Sequence, residues 1–194
     1  MQKDELSPKE SLDLINEMIS GAKARMNENG FIYLFWGWLI LICALSQFIL
    51  LQTEYASINY YPYILVIPGA IYTAIHESRN HRSAGNPNYT SKIMSGIWIA
   101  AGMNMLIVGF LFSPVLKTSP VPYILIILAL ATIASGAAVK FKPLIWGGVI
   151  CNLAGILSIF VAYSYHPLLV IAAIIAADLI PGYILRNKFR KNYA

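Results

Sequence analysis

Six long apolar runs leave this chain few folds to choose from: 31–52, 59–76, 93–113, 121–139, 143–163 and 167–185. Crossing a hydrocarbon core of roughly 30 Å takes about 17 to 25 helical residues, which is the length of these runs. Backbone in lipid must satisfy every N–H and C=O within the protein, so a spanning segment is a helix or part of a closed barrel. Continuous apolar runs of this length, without strand-like alternation, specify helices. Composition agrees, with 58% hydrophobic and 12% charged residues, against about 25% charged in soluble domains. The expected fold is an all-α membrane protein. Six transmembrane helices form three hairpins (31–186), preceded by a cytoplasmic amphipathic helix (1–30) and followed by a basic tail (187–194).

The net charge of +5 suggests nucleic acid only until its placement is read. Lys3, Lys9, Lys23, Arg25, Arg79, Arg82, Lys92, Lys140, Lys142, Arg186, Lys188, Arg190 and Lys191 fall before, between or after spans on one side, and Lys117 alone falls on the other. Basic residues mark the cytoplasmic side. The expectation is therefore a multi-pass protein of the bacterial inner membrane with both termini in the cytoplasm, the lipid bilayer as its partner, and no nucleic acid. The charged first thirty residues lack the apolar core of a removable signal peptide.

Catalytic and cofactor chemistry finds no support. There is no paired carboxylate, no Ser/His or Cys/His set in one layer, and no phosphate-cradling glycine loop. Cys43 and Cys151 both lie inside spans and read as buried free thiols. His76 and His81 are five apart, about 140° around a helix, whereas a zinc helix needs its histidines four apart. No enzyme, cofactor or metal is expected.

Residues 7–28 read as a helix outside the bilayer. Ser7 and Glu10 form a capping box and Pro8 suits the first helical position. Leu12, Ile15, Ile19, Ala22 and Met26 recur at spacings of three and four, one face of a helix. That face needs cover from the chain's own cytoplasmic ends, from a second copy, or from the membrane surface. The leading functional expectation is accordingly a non-enzymatic interaction or regulatory role, with this helix engaging a cytoplasmic protein or a second copy in a homo-oligomer.

The alternative is a small-solute or ion carrier, or the substrate-binding subunit of a transporter. It comes from Asp178, an acid inside an apolar run, where an ionisable group is costly and faces a partner or a wet cavity. At 1.5 Å per residue, Asp178 lies about 12 Å from Arg186, Asn152 about 15 Å from Lys142 and Asn104 about 18 Å from Lys92. These three with Ser135 are candidates for one polar layer. Pro181 frees the carbonyl of Ala177 beside the acid, and Pro68 is expected to kink the second span.

Small residues four apart permit close helix approach in lipid: Ala70 and Ala74, Ala131 and Ser135, Ala134 and Ala138, Ala172 and Ala176, Ala173 and Ala177. Trp98 with Asn104 and Trp146 with Asn152 repeat one interval, consistent with tandem hairpins. Tyr55, Tyr60, Tyr61, Tyr63, Tyr123, Tyr163 and Tyr165 gather at the outer ends as interfacial anchors.

Gly30, Phe31, Tyr33, Trp36, Gly37 and Trp38, with the ending Leu179-Ile180-Pro181-Gly182-Tyr183, resemble a group of small uncharacterised bacterial six-span proteins; the resemblance implies the fold and no activity. In span number and size the chain is also similar to the substrate-capture subunits of energy-coupling vitamin transporters, but span one lacks that family's spaced alanines. Polar replacement of Leu12, Ile15 and Ile19 is expected to change the particle size of the detergent-solubilised protein in sedimentation if the stripe mediates assembly. An unchanged size sinks that role.

Overall fold

The computed structural model describes residues 30–83, 89–112, 115 and 117–192. The stripe Leu12, Ile15, Ile19, Ala22 and Met26 lies outside them. Within them the chain is all-helical, with no strand. Helix α1 is Gly30–Leu50. A loop containing the 3₁₀-helix Glu54–Ile58, capped by Thr53, leads through a second 3₁₀ stretch, Tyr61–Leu65, into α2, Val66–Ser83. Helix α3 is Tyr89–Leu106 and widens into the π-helical Ile107–Phe112. Helices α4, Val121–Ala138, and α5, Lys142–Leu157, form a tight hairpin. Helix α6 runs from His166–Ile174 through the π-helical Ile175–Leu179 into Ile180–Asn192.

Four helices are long and apolar enough to cross a membrane: Gly30–Leu50, Ile93–Leu111, Val121–Ala138 and Tyr163–Lys188. They mark the chain as a membrane protein. Two of the expected spans come out differently. The second apolar run is split, because its first residues coil as 3₁₀ and the α-helix continues past His76 into polar sequence. Pro68 therefore sits in the first turn of α2, where a missing N–H leaves no intrahelical bond unmade. The irregularity is the 3₁₀ stretch ahead of it and not a kink in mid-span. The fifth run yields only 16 helical residues, about 24 Å, because residues after Leu157 turn into the 3₁₀-helix Tyr163–Tyr165.

The α4–α5 hairpin is closed by backbone geometry. Phe141 N–H donates to the Gly136 carbonyl at 2.8 Å and Lys140 N–H to Ala137 at 3.2 Å, the paired bonds of a Schellman ending. Such an ending wants a left-handed residue at its corner, and Lys140 takes it with φ of 53°. A Cβ there costs roughly 1 kcal/mol or more, which glycine avoids. Beyond the corner the helices run antiparallel at close range. A Cβ on Gly136 would meet Ile145 Cγ1 at 2.8 Å, on Gly148 Ile133 Cγ1 at 2.6 Å, and on Gly155 Ile126 Cγ1 at 3.1 Å. The Cys151 thiol donates to the Leu125 carbonyl at 3.4 Å in the same seam.

Helix α6 lies against both α5 and α1. Gly147 faces the backbone of Ala176 and Ala177, while Gly37 and Gly30 of α1 face Leu179 and Leu185 of α6. The central core joins Ala44 of α1, Leu125 and Ala129 of α4, Cys151 and Ala154 of α5, and Val170, Ala173, Ile174 and Ala177 of α6. Helix α2 rests on α1 through Gly69 beside Leu39, and through ring contacts of Phe35 with Tyr72 and Phe31 with His76. Of the four long apolar helices α3 is the least covered, with 17% of its apolar window buried against 50% for α6. The start of α1 and the late turns of α6 meet at one end of the bundle, where Tyr33, Phe141, Leu144 and Leu185 form a second core and Lys188 Nζ sits 5.3 Å from the Phe141 ring centroid.

Two substitutions separate packing from propensity. Gly147→Ala pushes a methyl into backbone and is expected to lower stability by about 1 to 3 kcal/mol. Gly96→Ala meets nothing within 4 Å and is expected to be neutral or to add up to about 1 kcal/mol. Lys140→Gly is expected to stabilise by about 1 kcal/mol. Thermal melting in detergent reads all three, and equal effects of the two alanines contradict the packing described.

Candidate intramembrane polar site

Proline at position 181 cannot donate to the carbonyl of Ala177, and its ring crowds the turn before it. Helix α6 answers by widening into the π-helical Ile175–Leu179 just ahead of Pro181, which is itself buried. Asp178 is carried on that widened turn. Single π turns inside α-helices recur at functional sites because they expose backbone and re-aim a side chain.

The acid is interior, with 3% of its surface exposed. Gly37 of α1 comes so close that a Cβ on it would lie 3.2 Å from Asp178 Cβ and 2.7 Å from Leu179 Cδ2. One turn before Gly37 on the same face of α1, Tyr33 brings its hydroxyl within electrostatic reach of the Asp178 carboxyl and alongside Ser135 of α4. Cys151 of α5 is within the same reach of Asp178. Trp98 of α3 packs edge-on to Tyr33, ring centroids 6.0 Å apart. Side chains of α1 and α5 thus approach the acid on α6, and those of α3 and α4 meet Tyr33.

Its hydrogen bonding is incomplete. The hydroxyls of Tyr33 and Ser135 are both buried and, although neighbours, neither makes a bond of good geometry. Buried polar groups without partners are uncommon in folded proteins and each needs a reason. Tyr33 lies within electrostatic reach of the Asp178 carboxyl, on which no cationic group of the described residues acts.

Of the residues singled out in the sequence, Asp178 and Ser135 are both buried, and two others are set apart. Asn104 is exposed on α3 and spends its amide on its own helix, Nδ2 donating to the Ala100 carbonyl at 2.8 Å. Asn152 is half-exposed, one position round α5 from the inward-facing Cys151. Similar depth does not mean a shared face. Tyr33, which is not among the candidates the sequence offers, carries one signal there: it lies four residues before Gly37, at the charged end of the first span and away from the outer tyrosines. Among the described residues no group of three or more His, Cys, Asp or Glu side chains is placed to hold a metal.

A second polar cluster, at the opposite end, is fully paired. Gln47 Nε2 donates to Asn59 Oδ1 at 2.9 Å, and the hydroxyls of Tyr63 and Tyr163 donate to Gln47 Oε1 at 3.0 Å and Asn59 Oδ1 at 2.8 Å. Asn59 Nδ2 donates to the Ala56 carbonyl, and His166 bridges Ser119 Oγ at 2.8 Å and the Val161 carbonyl at 3.0 Å. This cluster ties loops to helices. Two of the outer tyrosines are thereby structural partners, whereas Tyr55, Tyr60, Tyr61, Tyr123 and Tyr165 are exposed as anchors would be.

The fold and site define an all-helical membrane protein with a buried acid and, nearby, a buried tyrosine hydroxyl without a good partner. No family model, curated protein or solved structure matches the chain.

The two clusters respond differently to deletion. Gln47→Leu strands buried partners and is expected to cost about 1 to 3 kcal/mol. Tyr33→Phe and Ser135→Ala each remove a hydroxyl that forms no good bond and are expected to be neutral or stabilising by about 1 kcal/mol. Comparable destabilisation by all three in thermal melting shows the Asp178 cluster to be structural glue.

Proposed function

We propose that this is a non-enzymatic, six-span protein of the bacterial inner membrane, both termini cytoplasmic, that carries or captures a small solute or ion at the Asp178 site. The observation that carries the reading is an acid buried in an apolar bundle on a π turn, with the Tyr33 hydroxyl, itself buried and without a good partner, in electrostatic reach. A residue kept only as interhelical glue would have its bonds made within the fold. Stability left unclaimed at a few polar groups is characteristic of sites that bind something else.

Six crossings are supported by the antiparallel contacts of α1 with α2, α4 with α5 and α5 with α6, with α2 and α5 completing their passage through adjoining 3₁₀ and turn residues. The cytoplasmic assignment of the ends rests on the thirteen-to-one division of basic residues and the rule that they remain inside. The interaction or regulatory role drawn from the N-terminal stripe belongs to residues outside those described, so the site reading stands ahead of it.

Thermal melting of the detergent-purified wild type and Asp178→Asn against a panel of small metabolites and inorganic cations tests the proposal. A ligand present at a hundred times its Kd raises stability by about 2.7 kcal/mol. The expected result is at least one compound that stabilises the wild type and not the variant. A panel that stabilises both equally, or neither, removes the carrier role.

A further inference from the structure

Helix α3 carries an amide where a bilayer offers it nothing. Asn104 is exposed, seven residues short of Leu111, the nearer end of the 19-residue apolar segment Ile93–Leu111. Seven residues are about 10 Å of helix, too far for so short a side chain to reach the headgroups. One of its two amide hydrogens goes to the Ala100 carbonyl at 2.8 Å, and among the described residues the other hydrogen and Oδ1 make no bond. Hydrocarbon satisfies neither, and a polar group left unbonded there is costly. Polar side chains at such depth turn to the inside of a bundle, whereas this one turns out of it.

The same face is built for close approach. Gly96, Ala100 and Asn104 recur at four-residue intervals and are all exposed, with Met103 and Ile107 beside them. Eight of the described glycines would put a Cβ within 4 Å of another part of the fold, and the three that would not, Gly96, Gly102 and Gly109, are all on α3. Elsewhere, then, a helical glycine marks a crossing. Helix α3 holds three of them, each costing roughly 1 kcal/mol relative to alanine, with no crossing inside one copy.

Lipid can cover an apolar face but cannot bond the amide, so the cover is protein. The amide also says which protein. An asparagine side chain holds both donor and acceptor and is therefore complementary to itself. Two copies inserted in one orientation and related by a two-fold axis along the membrane normal set each α3 residue against its own counterpart at the same depth. We infer that a second copy of this chain packs on the Gly96–Ala100–Asn104 face of α3. The two helices cross near Ala100, where small side chains let the backbones approach. Each Asn104 keeps its bond to Ala100 and donates its second amide hydrogen to Oδ1 of the other Asn104.

Disulfide trapping and sedimentation of the full-length protein test this. A disulfide forms only where two Cα atoms come within about 7 Å. In phosphatidylcholine vesicles under copper phenanthroline, Ala100→Cys is expected to give a covalent dimer, and Leu106→Cys and Leu153→Cys, exposed elsewhere on α3 and on α5, are not. The wild type, whose Cys43 and Cys151 are buried, is the blank. Sedimentation equilibrium in density-matched detergent is expected to show a dimer whose Kd rises about three- to thirty-fold in Asn104→Leu, the worth of one interhelical hydrogen bond, and which Gly96→Ile abolishes. Both replaced residues are exposed, so the melting temperature of the diluted, monomeric protein stays at the wild-type value. Equal trapping at all three positions is random collision and overturns the interface. So does a wild type that stays monomeric, or a dimer indifferent to both substitutions. A dimer that ignores Asn104→Leu and Gly96→Ile but dissociates when Leu12, Ile15 and Ile19 are made polar is held by the N-terminal stripe instead. An Ala100→Cys adduct that forms in native membranes and not with the pure protein assigns the face to a different membrane protein and overturns the second copy.

Discussion

Close approach of helix backbones is the constraint from which the rest of this structure follows. Lipid tails are as apolar as Leu and Ile, so burial from lipid supplies little hydrophobic drive and helices hold together by fit. Fit here is made by small residues at crossings: Gly136, Gly148 and Gly155 between α4 and α5, Gly147 between α5 and α6, and Gly37 between α1 and α6. Those crossings set α6 in contact with both α1 and α5, which is why the acid it carries is interior.

The proline at 181 and the acid at 178 are best understood together. A proline within a helix leaves a carbonyl without its donor, and a π turn absorbs the mismatch at the cost of a wider backbone. The widened turn, Ile175–Leu179, faces Gly37, the one residue type able to lie that near it. Irregular backbone at membrane depth is tolerated only where protein or a cavity covers it. The polar groups at the other end obey the opposite logic, since Gln47, Asn59, Tyr63 and Tyr163 bond one another and close the α1–α2 and α5–α6 connections.

Much of the fold was legible from residue order. The apolar runs located the helices, and the Lys140–Pro143 junction announced an antiparallel α4–α5 pair. Boundaries went astray where an apolar stretch could coil in more than one way, as at Tyr61–Leu65, which is 3₁₀. The small-residue rows were right in kind and undecided in direction. Ala131 with Ser135 and Ala173 with Ala177 are buried, whereas Ala70 with Ala74 and Ala134 with Ala138 face outward. The two tryptophan-to-asparagine intervals likewise differ in setting, for Trp98 packs on Tyr33 and Trp146 is 66% exposed.

Sequence by itself determined that the chain is helical, that it belongs in a membrane, which ends of its helices are basic, and that Asp178 lies deep. Those properties follow from length, hydropathy and charge, each a sum along the chain. Tertiary structure alone decided which face of each helix looks inward, and so turned Tyr33, Ser135 and Asp178 into the interior and Asn104 outward. In water, amphipathicity tells a helix which face to bury. In a bilayer both surroundings are apolar, that signal vanishes, and rotation about the helix axis is settled only by how the neighbouring side chains fit.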